Sequence, residues 1–281
     1  MTFPSSSSRV HRALVPAAGF GTRMRPLTLA IPKEMLPIGR KHVLDYVVEE
    51  LKLASIDHVL FVVSPGKEMI RKYFGDGERF GLHIDYVLQP EMRGLGDAIL
   101  CGEEWTQDEP FVVAFGDCII ESPAEVNPLC RMLDVHTKGS ACATVLTERI
   151  PREKTRKYGI LQPSENLAEP ISLPFQFADI VEKPLPENAP GERAVAARWV
   201  LETQIFRYLH KCIPDPNGEV NLTDAVRAML REDPRGWAVP LLDGEVRLDI
   251  GGWDTYFIAQ IRAALADPEM GDIVHTALFP D

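Results

Sequence analysis

The chain has 281 residues, 45% hydrophobic and 25% charged, an ordinary globular composition long enough to bury a core without a disulfide or metal staple. Lysine and arginine total 30 against 41 aspartates and glutamates, a formal net charge of −11. That balance argues against a general nucleic-acid binder, which needs a basic face, and against docking on anionic lipid, but leaves a small anionic substrate open because a few local cations decide that.

The first residues, MTFPSSSSRVHR, lack the apolar core of a secretory signal, and residues 1–11 read as a disordered tail. Residues 12–17 (RALVPA) read as a short strand running into a glycine-rich loop. Over residues 42–54, Val43, Val47, Leu51 and Ala54 recur at helical spacing. His58–Val63 (HVLFVV) is a continuous apolar run, as in a strand buried on both faces. A helix over 66–74, an alternating strand over His83–Leu88, a helix over 94–104 and a second buried strand over 111–115 follow. This order predicts an α/β fold with a doubly wound, mostly parallel, Rossmann-like sheet flanked by helices, and ligands beyond the C-terminal strand ends.

The second half changes character. Residues 149–191 are rich in proline, which predicts loops around short strands. Strands are expected at 142–147, 159–162, 177–181 and 195–201, and helices at 203–210 and 222–230. The last helix places Leu222, Ala225, Val226, Met229 and Leu230 on one face. Trp253, Tyr256, Phe257, Ile261, Ala264 and Leu265 form a similar stripe, read as core packing of a C-terminal helix. Cys101, Cys118, Cys130, Cys142 and Cys212 form no C-x-x-C pair and read as buried thiols of a reducing cytosol. No apolar run approaches the roughly 20 residues of a membrane helix, so a cytoplasmic protein without membrane contact is expected.

The sharpest local feature follows the first strand: Ala18-Gly19-Phe20-Gly21-Thr22-Arg23-Met24-Arg25-Pro26. Glycines there let the backbone approach a nucleotide and offer N–H groups to phosphate oxygens. A dinucleotide fingerprint needs glycine where Met24 stands, and a Walker A loop ends G-K-[ST]; neither is present, and a G-x-G loop alone is equally a tight turn. The run continues to Gly39 as GFGTRMRPLTLAIPKEMLPIG, adding the cations Arg23 and Lys33 and the stiffening Pro26, Pro32 and Pro37. A cation about 4 Å from a phosphate oxygen is worth at most ~4 kcal/mol at an effective dielectric of ~20, so a pair of them with the glycine N–H groups can hold a triphosphate.

The pattern G-x-G-T-R-x-x-P-x-T-x-x-x-P-K-x-x-L-P resembles the signature of the sugar-1-phosphate nucleotidylyltransferases. IPKEMLPI, over 31–38, is most similar to the bacterial UTP–glucose-1-phosphate uridylyltransferases among them. Family-like segments continue in order: QPEMRGLGDAIL from Gln89, FGDCII from Phe115, KYGIL from Lys157, VEKP from Val181, GEVNLTDAV from Gly218 and LDIGG from Leu248. The resemblance implies a nucleotidyltransferase domain over 12–266, with a nucleotide-binding part at 12–148, a small β-rich sugar-binding part at 149–250, and a tail at 267–281.

It also implies roles. Ala18, Gly19, Gly21 and Thr22 would hold the nucleotide, with Gln89 and Gly94 at the base, where a glutamine amide can both donate and accept. Arg23, Lys33 and Lys183 would be the catalytic cations, Lys183 gripping the sugar phosphate. Gly159 and Glu182 would contact the sugar. Asp117, after FVVAF, and Asp249, in RLDIGG, would bind Mg²⁺, an ion that takes carboxylates together with substrate phosphates. Neighbouring strand residues point to opposite faces, so Glu182 and Lys183 reach one ligand only at a bulge or strand end. The implied reaction is attack of a sugar 1-phosphate oxygen on the α-phosphorus of an NTP, with pyrophosphate leaving; UTP and α-D-glucose 1-phosphate are the expected pair. The nucleophile is already anionic, so no general base is required. The partners are then these small molecules, with a homodimer or homotetramer open.

Three positions depart from the uridylyltransferase pattern. Asp97 replaces a histidine, Leu29 a lysine and Ala197 a glycine. They leave a thymidylyl- or other nucleotidylyltransferase as the alternative enzyme. A catalytically silent nucleotide-sugar regulator is the alternative outside the enzyme class, against which stands the full set Arg23, Lys33, Asp117, Lys183 and Asp249.

Overall fold

The computed structural model describes residues 10–123 and 127–279. Of the expected disordered tail, residues 1–9 lie outside the described residues, while Val10 is buried and His11 half-buried. The chain enters through β1 (Arg12–Pro16), passes the glycine loop, and turns through β2 (Pro37–Ile38) and β3 (Lys41–His42) into α1 (Val43–Leu53). Then follow β4 (His58–Val63), α2 (Glu68–Phe74), β5 (His83–Leu88), α3 (Gly94–Leu100), α4 (Glu103–Thr106) and β6 (Phe111–Ala114). The second half holds β7 (Cys118–Glu121), α5 (Pro128–Lys138), β8 (Ala143–Arg149), β9 (Gly159–Pro163), β10 (Phe175–Glu182) and β11 (Arg193–Leu201). It closes with α6 (Ile205–Leu209), α7 (Leu222–Glu232), β12 (Gly236–Pro240), β13 (Val246–Asp249), α8 (Trp253–Leu265) and α9 (Gly271–Leu278).

A 9-stranded sheet runs β5-β4-β1-β6-β11-β8-β12-β10-β9. β5, β4, β1 and β6 lie parallel, with Arg12 opposite both His58 and Phe111. β11 is antiparallel to β6 and β8, and β12 is parallel to β8. The expected mostly parallel sheet is therefore parallel over its first half and mixed over its second. The cause lies in residues 149–191, which form no crossover α-helix, so β9 and β10 return antiparallel.

Alternate residues on the strands feed opposite faces. Leu14, Leu60, Val113 and Trp199 pack against α3, α6 and α7, whereas Val15, Phe61, Val112 and Val200 pack against α1, α2 and α5. The apolar face expected on α7 is buried throughout. The helix expected over 94–104 is broken into α3 and α4 at Gly102, where a Cβ would stand 2.4 Å from Leu14 Cδ1 and 3.0 Å from Leu60 Cδ2. Gly102→Ala is accordingly expected to cost about 1–3 kcal/mol by overpacking, read as a lowered urea midpoint; an unchanged midpoint would show that β1 and β4 yield here.

The C-terminal stripe is only half core. Tyr256 and Ala259 join a third apolar cluster with Met24, Leu36 and Ile38, while Phe257 is 56% exposed and Ile261 48%. Residues 267–281, read as a tail, carry α9, which packs on α8; residues 280–281 lie outside the described residues. All five cysteines are free thiols, but only Cys118 and Cys142 are buried. Among the described residues no helix is long and apolar enough to cross a membrane.

Candidate active site

The glycine loop leaves the C-terminal end of β1 through a left-handed turn at Gly21, φ 62. A Cβ there would meet Thr28 Cγ2 at 2.9 Å, so glycine is required on both counts. Thr28 Oγ1 donates to the Gly21 carbonyl at 2.8 Å, and Met24 is fully buried, which pins the loop around Arg23. Beneath it lies a buried ion pair. Lys67 Nζ donates to both Glu34 oxygens, at 2.9 and 2.8 Å, and to the Ala17 carbonyl at 2.6 Å. Burial raises the Glu34 pKa and lowers that of Lys67, each opposed by the partner's charge. The loop lines a cavity of about 400 Å³ with Ala18, Gly19, Gly21 and Thr22; Lys33, Gln89 and Gly94 are among its other walls.

The carboxylates stand at the strand ends. Asp117 follows β6, and Asp249 closes β13, whose antiparallel pairing with β7 sets it opposite Cys118. The Ile250 N–H donates to the Asp117 carbonyl at 2.8 Å, tying the two segments together. Lys33 Nζ donates to Asp117 Oδ2. Burial opposes the charge of Lys33, yet Asp117, Glu34 and Asp249 hold its ammonium pKa above the usual lysine range. Burial equally opposes the charge of Asp117, and Lys33 holds that carboxyl below its ordinary value. Asp249 moves the other way, raised by burial and then by the charge of Asp117. Paired carboxylates with one charge left poorly compensated suit a divalent cation that completes its sphere with water and phosphate oxygens. Among the described residues the cluster offering three His or Asp ligands is elsewhere, at His11, Asp57 and His58 by the opposite ends of β1 and β4.

A second cavity, about 300 Å³, is lined by Arg23, Asp117, Gly159, Glu182, Lys183 and Asp249, among others. β10 ends at Glu182, and Lys183 adopts a left-handed backbone, φ 43, with its N–H donating to the Tyr158 carbonyl at 3.0 Å. That turn out of the strand brings both neighbouring side chains to one cavity. Lys183 Nζ lies 3.2 Å from Glu182 Oε1, and Thr223 Oγ1 donates to Glu182 Oε2 at 2.8 Å. A Cβ on Gly159 would stand 2.8 Å from Thr223 Cγ2. Ala197, at φ 60, occupies the irregular stretch of β11 between Val195 and Trp199 and also lines this cavity. It thus holds a glycine-like backbone at a cost of about 1 kcal/mol.

Asp117, Leu95, Phe115 and Glu219 line both cavities, so the two are one cleft with Asp117 at the junction. Every residue given a binding or catalytic role from the sequence lines that cleft, as does Ala197, whereas Asp97 and Leu29 do not line it. Sequence reasoning missed Tyr158, Glu219, Asn221, Thr223 and Arg247, which line it too. Arg247 donates from Nε to Glu148 at 2.6 Å and lies 4.3 Å over the Tyr158 ring. The available signals were their places inside the segments KYGIL and GEVNLTDAV, and the spacing of Arg247 from Asp249.

A nucleotidyl transferase family model matches residues 12–264. The UTP–glucose-1-phosphate uridylyltransferase YngB of Bacillus subtilis (strain 168) is 36% identical over 93% of this chain and 92% of its own. A UTP–glucose-1-phosphate uridylyltransferase of the same strain is 31% identical over 94% of each chain. A UDP-glucose pyrophosphorylase solved in complex with UDP-glucose shares 34% identity and a TM-score of 0.81, over 89% of this chain and 97% of that one. A UDP-glucose pyrophosphorylase from Acinetobacter baumannii shares 26% identity and a TM-score of 0.83, over 96% and 98%. With a cleft of this composition and matches that run almost end to end, the chain belongs to the nucleotidyl transferase family and is a nucleotidyltransferase.

Proposed function

We propose that this enzyme transfers the uridylyl group of UTP to α-D-glucose 1-phosphate, releasing UDP-glucose and pyrophosphate. The observation that carries the proposal is the single cleft in which the glycine-loop end and the Glu182–Lys183 end meet at Asp117. The names of relatives that match over more than nine-tenths of the chain support the same substrates.

In this reading the N–H groups of the loop 18–22 hold the triphosphate, and Arg23 and Lys33 disperse its charge. Gln89 and Gly94 take the base, while Gly159 and Glu182 take the sugar. Lys183 holds the phosphate whose oxygen attacks, and so sets the line of approach to the α-phosphorus. No side chain takes a proton, because the attacking oxygen is already anionic. Asp117 and Asp249 would hold Mg²⁺, which when bound supplies charge neutralisation on the phosphates. Pyrophosphate release from UTP and glucose 1-phosphate is expected with Mg²⁺ present and is expected to stop in excess EDTA. Release that persists in EDTA would remove the metal from the proposal; no release at any substrate concentration would remove the proposal.

A further inference from the structure

The base end of the cleft holds a buried carboxylate that the chemistry above does not use. Asp97, in the first turn of α3, is 7% exposed, and Gln89, just beyond β5, is 2% exposed. Gln89 Nε2 donates to Asp97 Oδ2 at 2.8 Å and to the Gly94 carbonyl at 3.2 Å. Arg93 Nη2 in turn donates to Asp97 Oδ1 at 2.9 Å, which anchors the carboxylate. A carboxylate and a carbonyl only accept, whereas an amide has a donating end and an accepting end. Turning the Gln89 amide over would set its oxygen against both of these acceptors. The amide is therefore fixed, and Oε1 is the end it presents.

We infer that Asp97 is a positioning residue for base selection: it locks Gln89 so that the base end of the cleft is an acceptor. This rests on the uridylyl reading. Uracil carries an N–H at ring position 3 that can donate to such an oxygen. Cytosine has a bare ring nitrogen there, so the same contact would face acceptor against acceptor at a buried amide, where an unmade hydrogen bond is costly. Thymine shares the N–H, so the device separates uracil and thymine from cytosine and not from each other.

The test compares kcat/KM for UTP and CTP, with glucose 1-phosphate and Mg²⁺, in the full chain and in Asp97→Asn. Asparagine has nearly the same size but offers a donor or an acceptor, which frees Gln89 to present either end. The expected result is a fall of about tenfold or more in the UTP:CTP ratio, carried mainly by the KM values, in protein with a near-normal unfolding midpoint. A purely structural role for Asp97 would lower both substrates alike; an unchanged ratio in the folded variant overturns the inference. Should Asp97→Asn not fold, Asp97→Ser makes the same change with a smaller side chain and is read the same way. A wild-type chain that does not prefer UTP over CTP overturns the uridylyl reading and this inference with it. A strong wild-type preference that survives Asp97→Asn overturns only the inference.

Discussion

Asp117→Ala and Lys183→Ala are each expected to slow nucleotidyl transfer about 100-fold or more, roughly 3 kcal/mol of transition-state stabilisation, in folded protein. Asp117 lines both ends of the cleft and is the direct partner of Lys33. Its removal leaves the Lys33 ammonium without the charge that does most to hold it, and takes away one of the paired carboxylates. Asp117→Asn keeps the shape and an acceptor but not the charge, so it should stay nearly as slow as Asp117→Ala. Lys183 is different in kind. Its side chain is 53% exposed, so its loss should leave the unfolding midpoint almost unchanged while raising KM for the sugar phosphate and lowering kcat. Initial rates against each substrate separate these effects. Either folded variant within a few-fold of wild type would sink the role assigned to that residue.

The largest loss of stability is expected from Glu50→Ala. Arg198 is wholly buried in β11, and its guanidinium donates to Glu50 of α1 from Nε at 3.0 Å and from Nη2 at 2.6 Å. The same group donates to the Ala197 carbonyl and the Cys118 carbonyl, both at 2.9 Å. It thus ties α1, the centre of the sheet and the segment after Asp117 together. Burial opposes the Arg198 charge, and Glu50 is what raises its pKa above the ordinary guanidinium value despite that burial. Without Glu50 a buried charge is left unpaired, at a cost of about 3–5 kcal/mol. At about 2–4 °C per kcal/mol for a chain of this class, Tm should fall by roughly 10 °C. The double change Glu50→Leu with Arg198→Met should recover most of that loss, because replacing a buried pair with apolar groups is often neutral. A Tm for Glu50→Ala near that of wild type would contradict the assignment.

The parallel half of the fold is readable because burial on both faces writes itself into short apolar runs, HVLFVV in β4 and FVVA in β6. The mixed half is not. β13 is four residues long and makes sense only through its pairing with β7, more than a hundred positions away. α5 is the exception: Asn127 accepts from the Cys130 N–H at 2.8 Å and Pro128 follows in the first turn, both ordinary helix-start signals. On α8 the spacing of Phe257 and Ile261 matches that of core residues, and which side of a helix lies against the protein is decided by packing alone.

The site divides along the same line. Its cations and carboxylates sit in compact motifs, so their positions could be marked residue by residue. The Lys183 turn was foreseeable from the pleat, since adjacent strand residues cannot share a face unless the strand ends. Thr223 could not be marked in that way, because its hydrogen bond to Glu182 joins α7 to β10. Asp97 was legible only as a departure from a pattern. Its contact with Gln89 needs the end of β5 and the start of α3 to be set side by side.

Pyrophosphate release measured across UTP, dTTP, ATP, CTP and GTP, each paired with glucose, galactose and mannose 1-phosphate, tests the central claim most directly. UTP with glucose 1-phosphate is expected to lead every other pair. Another pair in the lead, or no release from protein that still binds nucleotide, would contradict it.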